Sequence, residues 1–383
     1  MVTRRNFLTS LATTAAASAL PSVLTALSDL DVAQAAEAKL SKSEQAAIAA
    51  ITKQFMQDFG VPGLSVAVTR HASLVYQGAF GTPDAKRPAE KLTANHLFRI
   101  ASVTKPITST AIFSLIESGD LELDHRIFGP GGYLGDDYGK ASPANVRRIT
   151  LHHLLTHTAG GWGNSAGDPM FSNPNMNHRQ LIEWTLLNKP LQYEPGVHYE
   201  YSNFGYCVLG RIIEKFSRKS YIEAVKKSVL SRCSIRDMRL ATNEQAPNEV
   251  RYLGQNGENP YSPNMNISRM DSHGGWLATP TDLVRFATRV DGFETSPQIL
   301  RAKSIRTMTT PTAANANYAC GWCVNSRPNW WHNGSLPGTS TILVRTASGL
   351  CWAAFANTRT KGIDLALDLM MWKLAKAVPA WQA

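Results

Sequence analysis

Apolar residues spaced three and four apart form the first legible element of the chain. In "SKSEQAAIAAITKQFMQDFG", Ile48, Ile51, Phe55 and Phe59 fall on one helical face, and Ser43 stands where an N-cap is expected. The period then changes. "VPGLSVAVTRHASLVYQGAFG" alternates and is β-branched, which predicts the two strands of a hairpin. "HLFRIASVTKPITSTAIFSLIESGD" turns from strand-like to helical at Ser102. Ile107, Ala111, Ile112, Leu115 and Ile116 continue as one apolar stripe, and Gly119 supplies a C-cap.

Between about residues 121 and 275 the texture differs. Short helical segments such as "ITLHHLLTH" and "YCVLGRIIEKFS" alternate with loops rich in Gly, Pro and Asn. A further helix in "GGWLATPTDLVRFATRV" precedes four strand-like runs, "YACGWCVN", "WWHNGSLPG", "STILVRTASG" and "LCWAAFANTR". The helical "DLALDLMMWKLAKAV" closes the chain. Strands and helices at both ends therefore bracket a helical, loop-rich middle. The economical arrangement is one unit of sheet and helices built from about residues 40–120 and 276–383, with the middle inserted into it.

The first 35 or so residues are set apart from that unit. Arg4 and Arg5 are adjacent, a mild apolar stretch "LATTAAASAL" follows, and Ala33 and Ala35 give an A-x-A cleavage pattern. This order reads as an export signal of the twin-arginine type, handled by the corresponding export machinery, with a periplasmic or secreted destination. The apolar stretch is too short to span a bilayer, and no later run is long and apolar enough to do so.

Composition changes little in this picture. The 383 residues are 43% hydrophobic and 18% charged, the balance of a globular protein. The net charge of +10 raises the question of a nucleic-acid partner. Lys and Arg are scattered rather than clustered, so the charge reads as a solvated basic surface that steers anions weakly, with no nucleic acid bound. Of the five cysteines, Cys320 and Cys323 form "CGWC". The run around them reads as a strand, where residues three apart point to opposite faces, and no second pair completes a zinc half-site. Buried unpaired thiols are expected, with no metal and no cofactor.

The chemistry centres on "ASVTKPITST". A Ser hydroxyl is a poor nucleophile until a base takes its proton. With a helix beginning at Ser102, Lys105 lies one turn on, along the same face. Lys can act as base where burial and its neighbours hold it neutral. A second candidate is Tyr201-Ser202-Asn203, on a turn just before a helix. A third is His332-Asn333-Gly334, opening a strand in which a glycine allows close approach of a substrate backbone. Two other patterns compete. "GNSAG" at 163–167 matches a nucleophile elbow around Ser165, but its flanks are loops where that elbow needs a strand before and a helix after. His153 and His157 are spaced for a shared helix face, but the Glu of a zinc-protease motif does not follow His153.

With these segments in hand the chain resembles the serine β-lactamase and penicillin-recognising family, in its class C, DD-carboxypeptidase and family VIII esterase branch. "VPGLSVAV", "FRIASVTK", "LLTHTAG", "EPGVHYEYSNFGYCVLGRIIE", "GGWLATPTDLVRF", "GWCVN" and "HNGSLPGTS" come in the family's order, and Ser-x-x-Lys and Tyr-x-Asn each occur once. The resemblance implies an α+β fold of β-lactamase/transpeptidase type, an antiparallel sheet flanked by helices with a mostly helical insertion. It implies Ser102 as acylated nucleophile, and Lys105 and Tyr201 as the proton relay, without saying which is the base. Asn203 would hold the substrate's amide or carbonyl side chain. His332 stands where class C enzymes start Lys-Thr-Gly. Backbone N–H groups of Ser102 and Ser335 would form an oxyanion hole beside Gly334.

The expected function is an exported serine hydrolase of esters, amides or short peptides. A β-lactamase or acyl transferase on the same fold is the alternative, with a non-catalytic penicillin-binding protein behind them. An inactive scaffold is expected to lose Ser, Lys or Tyr, and all three are present. Because His332 replaces a permanent cation, weak β-lactam hydrolysis, clear aryl-ester hydrolysis and a pH dependence near 6 to 7 are expected. The Trp residues at 162, 276, 330 and 331 either wall the cleft or fill the core.

Overall fold

The computed structural model describes residues 40–139 and 143–382; the leader expected before residue 36 lies outside them. Helix α1 (Lys42–Phe59) starts at Ser41, not at Ser43. The Ser41 hydroxyl accepts the Glu44 N–H while the Glu44 carboxylate takes the Ser41 N–H back. Ser43 would need Ala46 to complete the same reciprocal pair, and alanine has no acceptor. Gly60, left-handed at φ 58°, ends the helix.

Strands β1 (Gly63–Arg70) and β2 (Ser73–Gly81) form the expected hairpin. Helix α2 (Thr104–Glu117) follows a single 3₁₀ turn at Ala101–Val103, and Gly119 at φ 85° lies just past its end. In the helical region the longest element is α3 (Asn203–Ser217); α4 (Pro280–Thr288) returns the chain towards the sheet. Then come β3 (Cys323–Val324), β4 (Trp330–Leu336), β5 (Thr339–Arg345), β6 (Leu350–Ala356) and the closing helix α5 (Ile363–Ala377).

These strands make one antiparallel sheet in the order β2-β1-β6-β5-β4-β3. The first strand of the chain is thus hydrogen-bonded to the last long one, Leu64 opposite Ala356 and Arg70 opposite Leu350. Strand periodicity sorts the two faces. Along β6, Leu350, Trp352, Ala354 and Ala356 pack with α1 and α5, while Cys351, Ala353 and Phe355 pack with α2, α3 and α4. Every β6 side chain is buried, so the sheet is covered on both faces. This is the α+β, β-lactamase/transpeptidase-like architecture, with the helical region between β2 and β3.

Two local expectations change. The strand read around "CGWC" shrinks to Cys323–Val324, because Gly321 at φ 81° makes a turn there and the Ser109 hydroxyl holds the Cys320 carbonyl at 2.8 Å. All five thiols are free, and burial pushes those of Cys207, Cys233, Cys320 and Cys351 up to about 12. Trp162, Trp276 and Trp330 belong to the buried core; only Trp331 of that set is partly exposed.

Candidate active site

The nucleophile segment is clamped before the serine is reached. Arg99 is buried, ion-paired to Glu249 at 3.1 Å, bonded to the Pro260 carbonyl and stacked over the Tyr252 ring. Its own N–H donates to the Tyr252 hydroxyl, and its carbonyl accepts from Thr339. The Ile100 carbonyl accepts from Thr341 at 2.9 Å. Ala101, held by these neighbours at φ 48°, stores backbone strain one residue before Ser102. Gly334 of β4 lies directly beneath. A Cβ there would run into the Ile100 carbonyl oxygen and the Thr341 hydroxyl. The close approach that requires this glycine is therefore by the nucleophile segment, where the sequence pointed to a substrate backbone.

Ser102 sits in the 3₁₀ turn and Lys105 in the first turn of α2. The Lys105 side chain is fully buried. Its Nζ lies 3.2 Å from Ser102 Oγ, 2.8 Å from Asn203 Oδ1 and 3.0 Å from the His273 carbonyl. Burial lowers its pKa to about 7, against the opposing field of Asp168. Protonated, the amine donates to all three partners; neutral, it gives its two N–H bonds to Asn203 Oδ1 and the His273 carbonyl, which can only accept, and turns its lone pair to the Ser102 hydroxyl.

Tyr201 stands on the turn before α3, its ring 4.6 Å from Lys105 Nζ. Loss of water around its hydroxyl raises its pKa well above 10, only partly offset by a hydrogen bond with Ser102, so it keeps its proton at neutral pH. Asn203 Nδ2 donates to Asn164 at 3.2 Å, so with its oxygen on Lys105 both ends of the amide are engaged inside the protein. It orients Lys105 through Oδ1, while Nδ2 carries a second N–H beyond the one given to Asn164.

His332 also differs. It lines the site, 6.2 Å from the Tyr201 ring, but it is buried and both ring nitrogens are bonded to protein groups: Nδ1 to the Asn333 carbonyl at 2.7 Å and Nε2 to Tyr318 at 3.1 Å. Burial lowers its pKa to about 3, with Lys105 adding to the effect. It is neutral across the working range, so a pH dependence near 6 to 7 cannot come from it. Ser335, three positions further along β4, is half-buried. The strand β3 covers only Trp330 and Trp331, so no partner strand among the described residues pairs with the outer edge of β4 from His332 to Leu336.

Structure adds Asp168 and Tyr318, which no sequence signal marked, and brings in His157 for a reason other than the metal spacing. Asp168, buried, accepts from Met170 N and from Asn203 N at 2.6 Å and Phe204 N at 3.4 Å, and so caps the N-terminus of α3. Burial raises its pKa to about 6 against those three N–H groups and Lys105. His157 and Tyr318 complete the wall. Ser165, by contrast, lies in an isolated 3₁₀ turn with no strand before it and donates to Glu200, so the elbow pattern is coincidental. His153 bonds the Thr150 N–H and His157 the Ser202 N–H, so neither is turned towards a shared metal.

The fold that holds these residues is of the β-lactamase/transpeptidase-like type. The family model "Beta-lactamase" matches residues 48–373, and the chain belongs to that family. Among curated proteins it is similar to "Protein flp" of Staphylococcus aureus (strain N315), 23% identical over 314 residues, 80% of this chain and 61% of that protein. Penicillin-binding protein 4* of Bacillus subtilis (strain 168) is 24% identical, over 73% of this chain and 64% of that protein. The chain thus spans somewhat under two thirds of the curated relatives it matches. Among solved structures, D-amino acid amidase from Ochrobactrum anthropi SV3 superposes with TM-score 0.72 at 22% identity, covering 87% of this chain and 98% of that one. The octameric penicillin-binding protein homologue from Pyrococcus abyssi gives TM-score 0.70 at 22% identity, over 88% and 79%.

Proposed function

We propose that this protein is a serine hydrolase of neutral esters, amides or short peptides, working through an acyl-enzyme on Ser102. It belongs with the esterase and peptidase side of its family. The observation that carries the reading is Lys105: a fully buried amine drawn down to about 7, 3.2 Å from Ser102 Oγ. Lys105 rather than Tyr201 is the base, because the tyrosine holds its proton far above neutral pH.

In acylation Ser102 Oγ bonds to the carbonyl carbon and its proton passes to Lys105 Nζ. The negative charge on the former carbonyl oxygen is taken up by the backbone N–H groups of Ser102 and Ser335. Tyr201 relays the proton from Lys105 to the leaving alkoxide or amine as the C–O or C–N bond breaks. Water then repeats the sequence and releases the acid. The open edge of β4 gives an extended substrate main chain a place to pair. A neutral His332 in place of a lysine leaves a β-lactam carboxylate without a fixed cation, which favours uncharged acyl groups.

The test is intact-protein and peptide mass spectrometry after a fluorophosphonate, with steady-state assays on p-nitrophenyl esters and nitrocefin. Labelling at Ser102 with clear ester turnover and weak nitrocefin turnover is expected; efficient nitrocefin hydrolysis with negligible esterase activity refutes the substrate class. We also propose that residues 1–35 are a twin-arginine leader and that the protein acts in the periplasm or outside the cell. Replacing Arg4 and Arg5 by Lys should then retain the precursor in the cytoplasm, and normal export of that variant overturns the proposal.

A further inference from the structure

His157 grips the catalytic turn from both sides of Tyr201. Its carbonyl accepts from Glu200 N at 2.8 Å and its Nδ1 accepts from Ser202 N at 3.1 Å. It does so at φ 58°, a backbone conformation a β-carbon disfavours, which the surrounding bonds must hold in place. On its other side the ring meets Tyr318, whose hydroxyl lies 3.1 Å from His157 Nε2 and 3.1 Å from His332 Nε2.

The proton order along this chain is fixed by its ends. A backbone N–H can only donate, so His157 Nδ1 is bare, and the neutral ring carries its proton on Nε2. A backbone carbonyl can only accept, so His332 carries its proton on Nδ1 towards Asn333 and its Nε2 is bare. Tyr318 then accepts from His157 and gives its one proton to His332; the Tyr206 hydroxyl, whose own proton goes to the Leu155 carbonyl, is the other acceptor beside it. Burial holds both imidazoles neutral, in agreement with that order. All three side chains are satisfied and the chain carries no net charge.

We infer that Tyr318 is a positioning residue, the hydrogen-bonded tie that sets the spacing between the Tyr201 turn on the helical side of the cleft and strand β4 on the sheet side. The inference rests on the reading of Ser102 as the nucleophile. Its physical content is that no other single side chain bonds both His157 on one wall and His332 on the other, in the network of the described residues. Loss of the hydroxyl leaves a buried donor on His157 and a buried acceptor on His332 facing each other with nothing between, and the walls must shift to satisfy them. A misplacement of about 1 Å in a relay costs roughly 100-fold in rate.

The test uses the full mature protein and its Tyr318→Phe variant. First, nitrogen-15 NMR of histidine-labelled wild type should find His157 protonated on Nε2 and His332 protonated on Nδ1. Second, Tyr318→Phe should lower the rate of Ser102 acylation by a p-nitrophenyl ester about 10- to 100-fold, with KM changed less than about threefold and the His332 proton still on Nδ1, where Asn333 holds it. Acylation within about twofold of wild type, or a wild-type His332 protonated on Nε2, overturns the inference and leaves the nucleophile assignment standing. If Tyr318→Phe does not fold, the tautomers of the unaltered protein decide. Failure of wild type to be labelled at Ser102 by the fluorophosphonate marks failure of the underlying reading, and the inference falls with it.

Discussion

The titration of Lys105 sets the pH profile of acylation. A base must be unprotonated to act, and burial places this amine at about 7 instead of the ordinary 10.5. The neutral fraction is then about 3% at pH 5.5 and about 97% at pH 8.5, so the acylation rate should climb roughly 30-fold over that span and level off above it. The sign is upward with pH. Asp168 shares this limb, since its negative charge favours the protonated amine and the amine in turn favours the carboxylate. Asp168→Asn removes that field and should move the midpoint to lower pH, leaving more activity on the acid side of a reduced plateau. The assay is pre-steady-state release of p-nitrophenol from an activated ester, followed across the range in buffers of constant ionic strength. A flat profile, a rate that falls as pH rises, or a midpoint unmoved by Asp168→Asn would refute the assignment of the base. His332→Gln provides the contrast: it perturbs the rate but should not move the midpoint, because that imidazole is already neutral.

Other outcomes follow from the same geometry. Ser102→Ala should abolish ester turnover with an unchanged melting temperature, whereas Ser165→Ala should keep most activity; the reverse result places the nucleophile elsewhere. Gly334→Ala drives a methyl into the Ile100 carbonyl and should cost about 1–3 kcal/mol in denaturant unfolding together with most of the Ser102 labelling. Lys105→Met should be inactive, and its stability relative to wild type should depend on pH. The folded pKa of Lys105 lies below the unfolded one, so the unfolded chain binds the extra proton between about pH 7 and 10.5 and wild type gains stability as pH rises through that window. The gain relative to Lys105→Met should be on the order of 4 kcal/mol by paired denaturation curves.

The sheet and its covering helices were readable because period-two and period-3.6 patterns switch cleanly, as between "GLSVAV" and "AIFSLIESG". That Ser102, Lys105 and Tyr201 come together was readable because local motifs occur in a recognisable order. Asp168 was not. It sits in a loop without periodicity, beside a decoy serine, and its partners Asn203 and Phe204 reach it only through the tertiary fold. His157, Tyr318 and His332 are far apart in sequence, and no pattern along the chain announces a hydrogen bond between them. The pH dependence expected from His332 differs for a physical reason: residue type sets a reference pKa, but burial shifts it. The same holds at "CGWC", where one left-handed glycine converts an expected strand into a turn.

The pairing of β1 with β6 also governs how the chain can fold. Strand β1 emerges early in synthesis and must wait for a partner made almost at the other end. Until then the β1–β2 hairpin has one bare apolar edge, and the helices of the middle region have no sheet to rest on. Contacts so distant in sequence make closure slow and leave a long interval in which exposed edges can pair with other chains. Loss of the last sixth of the sheet is therefore no mild trimming: a chain stopped after Arg345 leaves β1 and β5 each without the strand that joins them, and it should aggregate on refolding instead of giving a weakened native state.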